Sequence, residues 1–335
     1  MGTKTAAPAA FSAFSPPRWL REELELRNRH FTPQQVRALV LFKDDLPHAP
    51  PPEGVWQLTP AQQSERLNAA ANLVQHLGAT PETANMAPDI FTQCVKDIAL
   101  VRECNFVCFN KLAGRTRDTM FAVITLCHRD VTGADYARMM TGHPIAGLDA
   151  VEAQRGAVGH EFGHLEDYYY HPNPTITPAE REFRADRSSH HGLLRHGAQV
   201  AARFLDLRAL SNFLYNPLPR YQNSLALRSH RRHAYIDDCE SEAMAEVIVR
   251  SRLARTSVEA AKKVKAACLA ALVEEVVNPA TPAEQRPDVL PMDIANLRPL
   301  LHEKAFSSPE ATQLAQRVYT AATRLAPDWL SKPAP

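Results

Sequence analysis

Gly159-His160-Glu161-Phe162-Gly163-His164 lies inside a longer run, residues 150–170, whose apolar and polar positions separate at helical spacing. Ala153, Ala157, Val158, Phe162 and Leu165 supply an apolar side, while His160, His164 and Tyr168 share the other. On a helix, residues four apart stand on one face with roughly 6 Å between Cβ atoms. Two imidazoles placed so can both reach one ion at about 2.0–2.1 Å. Glu161 sits one residue round from His160, so its carboxylate can reach a water on that ion without ligating the ion. The HExxH pattern is short. With 14 histidines in the chain it arises by chance in roughly a few per cent of such sequences, and the plain alternative is two surface histidines flanking a glutamate. A catalytic ion also wants a third protein ligand and one open position, so the reading moves outward to find it.

Glu182 is the first candidate, 18 residues past His164 in Glu182-Phe183-Arg184-Ala185-Asp186. The intervening His171-Pro172-Asn173-Pro174 offers a turn, and Thr177-Pro178 a helix start with Glu180 in the first turn. Asp186 follows Glu182 by four residues, so both carboxylates face the same way, and Asp186 is placed to accept the free N–H of a ligating histidine. The alternative is a pair of solvated charges beside Arg181, Arg184 and Arg187. A competing ligand is Glu242, seven residues after Tyr235 and followed by Glu246; an acidic first turn of a long helix would look the same. The metzincin pattern fails, because Asp167 and Tyr170 stand where it needs Gly and His. His190, His191 and His196 read as helix-surface residues.

HExxH followed by E-x-x-A-D resembles the gluzincin metallopeptidases, in particular the heat-shock protease and CAAX-prenyl-protease type. The similarity covers residues 157 to 236, roughly a quarter of the chain. Ala185-Asp186-Arg187 leads to Leu193-Leu194-Arg195-His196-Gly197 and then Ala201 to Leu207, as that family's second helix runs on. Ser229-His230 is similar to its Ser-His-Pro turn, with Arg231 where proline is expected. The resemblance implies one Zn2+ per chain held by His160, His164 and Glu182, with Glu161 as catalytic base and Asp186 behind the ligands. It also implies a zincin-like core and a protein or peptide substrate. Two departures, the missing membrane helices or signal peptide and the shorter gap to the third ligand, mean that no substrate class is carried across. The Tyr235–Glu242 spacing resembles the lethal-factor type, in which the glutamate binds zinc and the tyrosine stabilises the oxyanion. His230, His233 and Tyr235 are all candidate oxyanion donors, and spacing does not choose among them.

Composition bounds the rest. The chain has 335 residues, 45% hydrophobic and 22% charged, so a sizeable core is possible. The formal net charge of +1 provides no global field to draw in nucleic acid or an acidic membrane. The basic run from Arg228 to His233 reads as a solvated face. Cysteines at 94, 104, 108, 127, 239 and 268 include no CxxC pair, which favours reduced thiols. Cys104, Cys108, Cys127 and His128 would be a second zinc site only if they were not simply buried. No 18-residue apolar stretch and no Sec-type leader is seen, and Ala6 breaks the myristoylation pattern. A cytoplasmic protein, or one exported by a non-Sec route as an effector is, follows as the expectation, without membrane insertion.

Along the chain, residues 1–17 read as a disordered tail, 18–103 as an N-terminal helical region, 104–276 as a zincin-like metallopeptidase domain and 277–335 as a C-terminal helical extension. Trp19–Phe42 reads mostly as helix. The strands expected are Phe106–Phe109 and Phe121–Leu126, around a polar turn at Gly114–Asp118. Helices are expected over 61–78, 82–103, 150–170, 178–196, 198–214, 234–276 and within 291–330. The fold class is therefore α+β, predominantly helical, with a small sheet packed on the HExxH helix. The expected function is zinc-dependent endopeptidase activity. The alternatives are a non-catalytic binding module and a latent zinc-binding regulatory protein.

Overall fold

The computed structural model describes residues 11–13, 15–51, 56–100, 105–108, 119–171, 178–215, 243, 246–251 and 291–331. The expected turn at 114–118 and most of the expected helix over 234–276 lie outside them. The chain folds as two compact units, Met1–Val131 with Ala157–Asn173, and Thr132–Gly156 with Pro174–Pro335.

The first unit is organised by Met120–Leu126, a run of seven residues that are all buried. Such a run suits a strand covered on both faces, and it forms β4. With β1 (Phe11–Ala13), β2 (Val36–Phe42) and β3 (Asn105–Cys108) it makes a sheet of order β1-β2-β4-β3. β2 runs parallel to both β1 and β4, pairing Ala38 with Phe11 and Val36 with Met120, while β3 is antiparallel to β4, pairing Val107 with Val123. Strand alternation sends Val36, Ala38, Val40 and Phe42 to one face and Leu39 and Leu41 to the other. The first face is covered by Leu20 and Leu24 of α1 (Arg18–Arg27) and by Val158, Phe162 and Leu165 of α5 (Ala150–Tyr170). The second is covered by α2 (Pro60–Leu77) and α3 (Pro88–Leu100), through Ala70, Val74, Val95, Ile98 and Ala99.

The expected β3–β4 pair is present, and the HExxH helix packs on the sheet. Two expectations are corrected. Trp19–Phe42 is not mostly helix: α1 ends at Arg27 and Val36–Phe42 is a central strand. Thr32-Pro33 opens only one turn, with Gln35 N–H and Val36 N–H both donating to Thr32 O at 2.9 Å. Val36, Leu39 and Val40 fit helical spacing as well as they fit a strand, and a short apolar run cannot be told apart by periodicity alone. The sheet also gains β1, inside the stretch read as tail. Arg129 ties the strand ends together, donating to Ser15 O at 2.6 Å after β1 and pairing with Asp44 and Asp45 after β2.

Helix α2 shows how locally these elements are coded. Thr59 accepts from Gln62 N–H while the Gln62 side chain accepts from Thr59 N–H, and Pro60 follows the cap. Gly78 ends it at φ +89°, where an added Cβ would lie 3.0 Å from Arg37 Nη1. Arg66 of the same helix is fully buried and donates to the carbonyls of Lys43, Leu46, Pro47 and Ala99. Burial pushes its guanidinium down to about 10.

The second unit is helical among the described residues. It holds α4 (Gly133–Thr141), α6 (Pro178–Leu193), α7 (Ala198–Tyr215), α8 (Pro291–Ala295), α9 (Leu297–His302) and α10 (Pro309–Leu325). A 3₁₀ turn, Leu194–His196, links α6 to α7. α10 buries Ala311, Leu314, Ala315, Val318, Ala321, Ala322 and Leu325, an i, i+3, i+4 stripe, after a Ser308 cap. It packs along α7, with Arg324 paired to Asp206 at 3.3 Å. The fold is thus α+β and predominantly helical. Among the described residues no helix is long and apolar enough to cross a membrane.

Candidate metal centre

Helix α5 carries the HExxH residues, and its local sequence explains its placement. Asp149 caps its start, accepting from Glu152 N–H at 2.8 Å and Ala153 N–H at 3.1 Å. In the second unit, Gly156 lies against the Phe204 ring so closely that an added Cβ would fall 2.4 Å from Phe204 Cδ2, and its carbonyl accepts from Ser189 Oγ at 2.7 Å. From Ala157 onward α5 belongs to the first unit. There Val158, Phe162 and Leu165 enter the sheet core, all three wholly inaccessible to solvent. That anchoring fixes the rotation of the helix and thereby the direction of His160, Glu161 and His164.

Nε2 of His160 and Nε2 of His164 lie 3.1 Å apart, with the rings 4.6 Å between centroids and crossed at 88°. Two nitrogens ligating one ion at about 2.0–2.1 Å with a tetrahedral angle stand about 3.3–3.4 Å apart. The pair therefore already has nearly the spacing that a shared ion requires. Ligand atoms of His160, Glu161 and His164 all fall within 4.8 Å of one another, and this is the group among the described residues that could hold a metal ion. His160 and Glu161 are buried, and His164 is partly so. Imidazole and carboxylate donors out of bulk water favour a borderline divalent ion over a purely hard one.

The C-terminal half of α5 is braced by α1 and the turn after it. Arg27 donates from Nη1 to Glu166 Oε1 at 2.9 Å and stands 5.5 Å over the Phe162 ring. Tyr169 meets Phe31 edge to face at 5.4 Å, Tyr170 stacks on Phe31 at 5.3 Å, and the Tyr170 hydroxyl donates to His30 O at 2.9 Å. Burial, with Tyr169 and Glu166 nearby, pushes the Tyr170 hydroxyl pKa up. Tyr169 and Tyr170 thus pack on Phe31. Arg27 and Glu166 were not singled out from sequence. Leu20, Glu23, Leu24 and Arg27 fall at i, i+3, i+4 and i+7 on the buried side of α1, a spacing that marks Arg27 as an inward-facing charge.

Glu182 and Asp186 lie on α6 in the second unit and are both buried. Asp186 accepts from Arg208 Nε at 3.1 Å, and Glu182 Oε2 lies 3.7 Å from Arg208 Nη2. The two are therefore not solvated surface charges. Arg208 too was missed from sequence, although it sits at helical spacing from the buried Ala201 and Phe204. His191 and His196 are exposed and His190 partly so, as a surface reading of them expects. Glu246 accepts from Ser307 N–H at 2.7 Å, Ser307 Oγ at 2.6 Å and Arg250 Nε at 2.8 Å. His230, His233, Tyr235 and Glu242 lie outside the described residues. Cys127 is buried and Cys94 partly so.

No protein-family model matches the chain, and neither a curated protein nor a solved structure matches it significantly.

Proposed function

We propose that the chain is a zinc-dependent endopeptidase that hydrolyses peptide bonds of a protein substrate, with His160, His164 and Glu182 as ligands and Glu161 as general base. The observation that carries this reading is the 3.1 Å convergence of two imidazole nitrogens beside a buried glutamate on one anchored helix. Bound there, zinc would act as a Lewis acid toward the scissile carbonyl and would acidify water at its open position. The work of the chain itself is proton movement and positioning. Glu161 takes the proton from the attacking water and returns it to the leaving amine. The packing of Phe162 and Leu165 fixes the helix that carries His160 and His164 and so keeps their ring nitrogens close together. Glu182 contributes the carboxylate, and Asp186 stands four residues along the same helix.

The test is zinc content and peptide cleavage in one set of preparations. The wild-type chain is expected to bind one zinc. Glu161→Gln should keep that zinc while turnover of a protein or peptide-library substrate drops by about 10²- to 10⁴-fold; unchanged turnover would sink the mechanism. Loss of zinc on Glu182→Ala and its retention on Glu242→Ala would support the assigned third ligand, whereas the reverse would transfer that role to Glu242 and make Tyr235 the oxyanion donor. A chain that takes up no zinc even on reconstitution would leave no metallopeptidase.

A further inference from the structure

Helix α5 is weakly coded across its histidines. Gly159 precedes His160 and Gly163 precedes His164, and a glycine inside a helix weakens it, because glycine gives up the most conformational freedom on being ordered. The two imidazole nitrogens meet at 3.1 Å only while the turn from 160 to 164 keeps its helical geometry. At about 100° per residue, positions two apart on a helix point about 200° apart. Phe162 and Glu166, an i, i+4 pair, therefore stand on the side of α5 away from His160 and His164. Two of the contacts of Arg27 on α1 are with this pair, all within the first unit. Arg27 Nη1 donates to Glu166 Oε1 at 2.9 Å, and the guanidinium carbon lies over the Phe162 ring, 5.5 Å from its centre. The Arg27 side chain is 8% exposed and that of Glu166 30%, so water screens the pair only in part.

We propose that Arg27 is a positioning residue for the metal centre: by holding Phe162 and Glu166 from behind, it keeps the turn between His160 and His164 wound and their ring nitrogens together. This rests on the zinc reading above, through the two histidines and not through Glu182. Phe162 and Glu166 lie on either side of Gly163 and His164 in the chain, so one side chain that grips both spans the glycine. A planar guanidinium suits the task, because it lies over an aromatic ring while an N–H at its edge reaches a carboxylate; an ammonium keeps the charge and loses the plane. Charge alone predicts the opposite effect. A cation behind the site repels an incoming Zn2+, so neutralising it would tighten zinc binding, whereas loosening the turn weakens it.

The experiment is Zn2+ affinity of the full chain, measured by competition with a chromophoric chelator, for wild type, Arg27→Met and Arg27→Lys. Thermal unfolding of each metal-free protein is recorded alongside, and affinities are read at a temperature where all three are folded. Arg27→Met is expected to bind zinc about five- to thirtyfold more weakly, the factor set by ordering a helical turn that holds two glycines. Arg27→Lys keeps the charge and should bind about two- to fivefold more weakly than wild type. Zinc bound by Arg27→Met as tightly as by wild type, or more tightly, overturns the proposal. So does a lowered metal-free melting temperature with unchanged zinc affinity, since that is a structural role only. Should Arg27→Met fail to fold, Arg27→Lys decides alone: weaker zinc binding supports the proposal and wild-type affinity overturns it. If the wild-type chain itself binds no zinc, the metallopeptidase reading fails and this inference falls with it; one zinc per wild-type chain with unmoved Arg27 variants removes only the inference.

Discussion

Helices α5 and α6 each carry a pair of polar residues four positions apart, and the two pairs have different surroundings. On α5, in the first unit, His160 and His164 bring two nitrogens to 3.1 Å beside Glu161. On α6, in the second unit, Glu182 and Asp186 lie against the guanidinium of Arg208. Equal spacing therefore does not give equal chemistry. The two imidazoles meet through their ring nitrogens at hydrogen-bond distance. Carboxylates at the same spacing need a cation to remain buried together, and here the fold supplies one. The comparison separates a histidine pair beside a glutamate, which could hold a metal ion, from a carboxylate pair that lies beside a guanidinium.

The largest expected effect comes from breaking the α5 pair. His164→Ala removes one of the two imidazoles proposed to hold zinc. Taking metal-binding free energies of about 10–16 kcal/mol shared among three or four ligands, zinc affinity should fall on the order of 10²- to 10⁴-fold. Chelator competition measures it, and a loss under threefold would show that the 3.1 Å pair is not where the ion binds. The next effect compares how the two halves of α5 are anchored. Phe162→Ala, in the first unit, empties a wholly buried position and should cost about 3–5 kcal/mol in urea unfolding. Gly156→Ala, in the second, pushes a methyl group into the Phe204 ring and should cost about 1–3 kcal/mol. Equal and small effects would mean that packing does not set the rotation of α5.

The smallest effect concerns a carboxylate that is held by hydrogen bonds. Burial pushes the Glu246 pKa up, but donors from Ser307 and Arg250 outweigh it and hold the group below its ordinary value. A depressed carboxylate pKa contributes stability above the unfolded-state pKa, and that contribution is lost as pH falls through the folded-state value. Glu246→Gln should therefore lower stability modestly at neutral pH and lose less than wild type on going to about pH 3. Parallel unfolding curves at the two pH values would show that these hydrogen bonds carry no linkage.

Much of this could be read in the chain, for identifiable reasons. The β3–β4 pair and α5 follow from patterns that complete themselves over ten to twenty residues: continuous apolar runs at a turn, and a helical stripe with histidines opposite. β2 escaped because Val36, Leu39 and Val40 satisfy both periods, and only its pairing with β4 decides between them. β1 escaped because three residues carry no period at all, and it exists through its pairing to Ala38, Leu39 and Val40. The candidate ligands on α5 and α6 were legible as spacing on single helices. Arg27 and Arg208 were passed over although both stand at helical spacing from buried apolar residues, because that spacing shows the side they face and not the acid they meet.

By itself the sequence determined the HExxH helix, the two carboxylates of α6 and the predominantly helical α+β class, because helical spacing and local caps are written within a few turns of chain. Only the tertiary structure decided that β2 is a central strand, that Glu182 and Asp186 are buried against Arg208, and that the two imidazoles meet at 3.1 Å. The physical reason is common to all three. Strand pairing, the burial of a charge and the rotation of a helix are fixed by contacts between residues far apart in the chain, which no local pattern encodes.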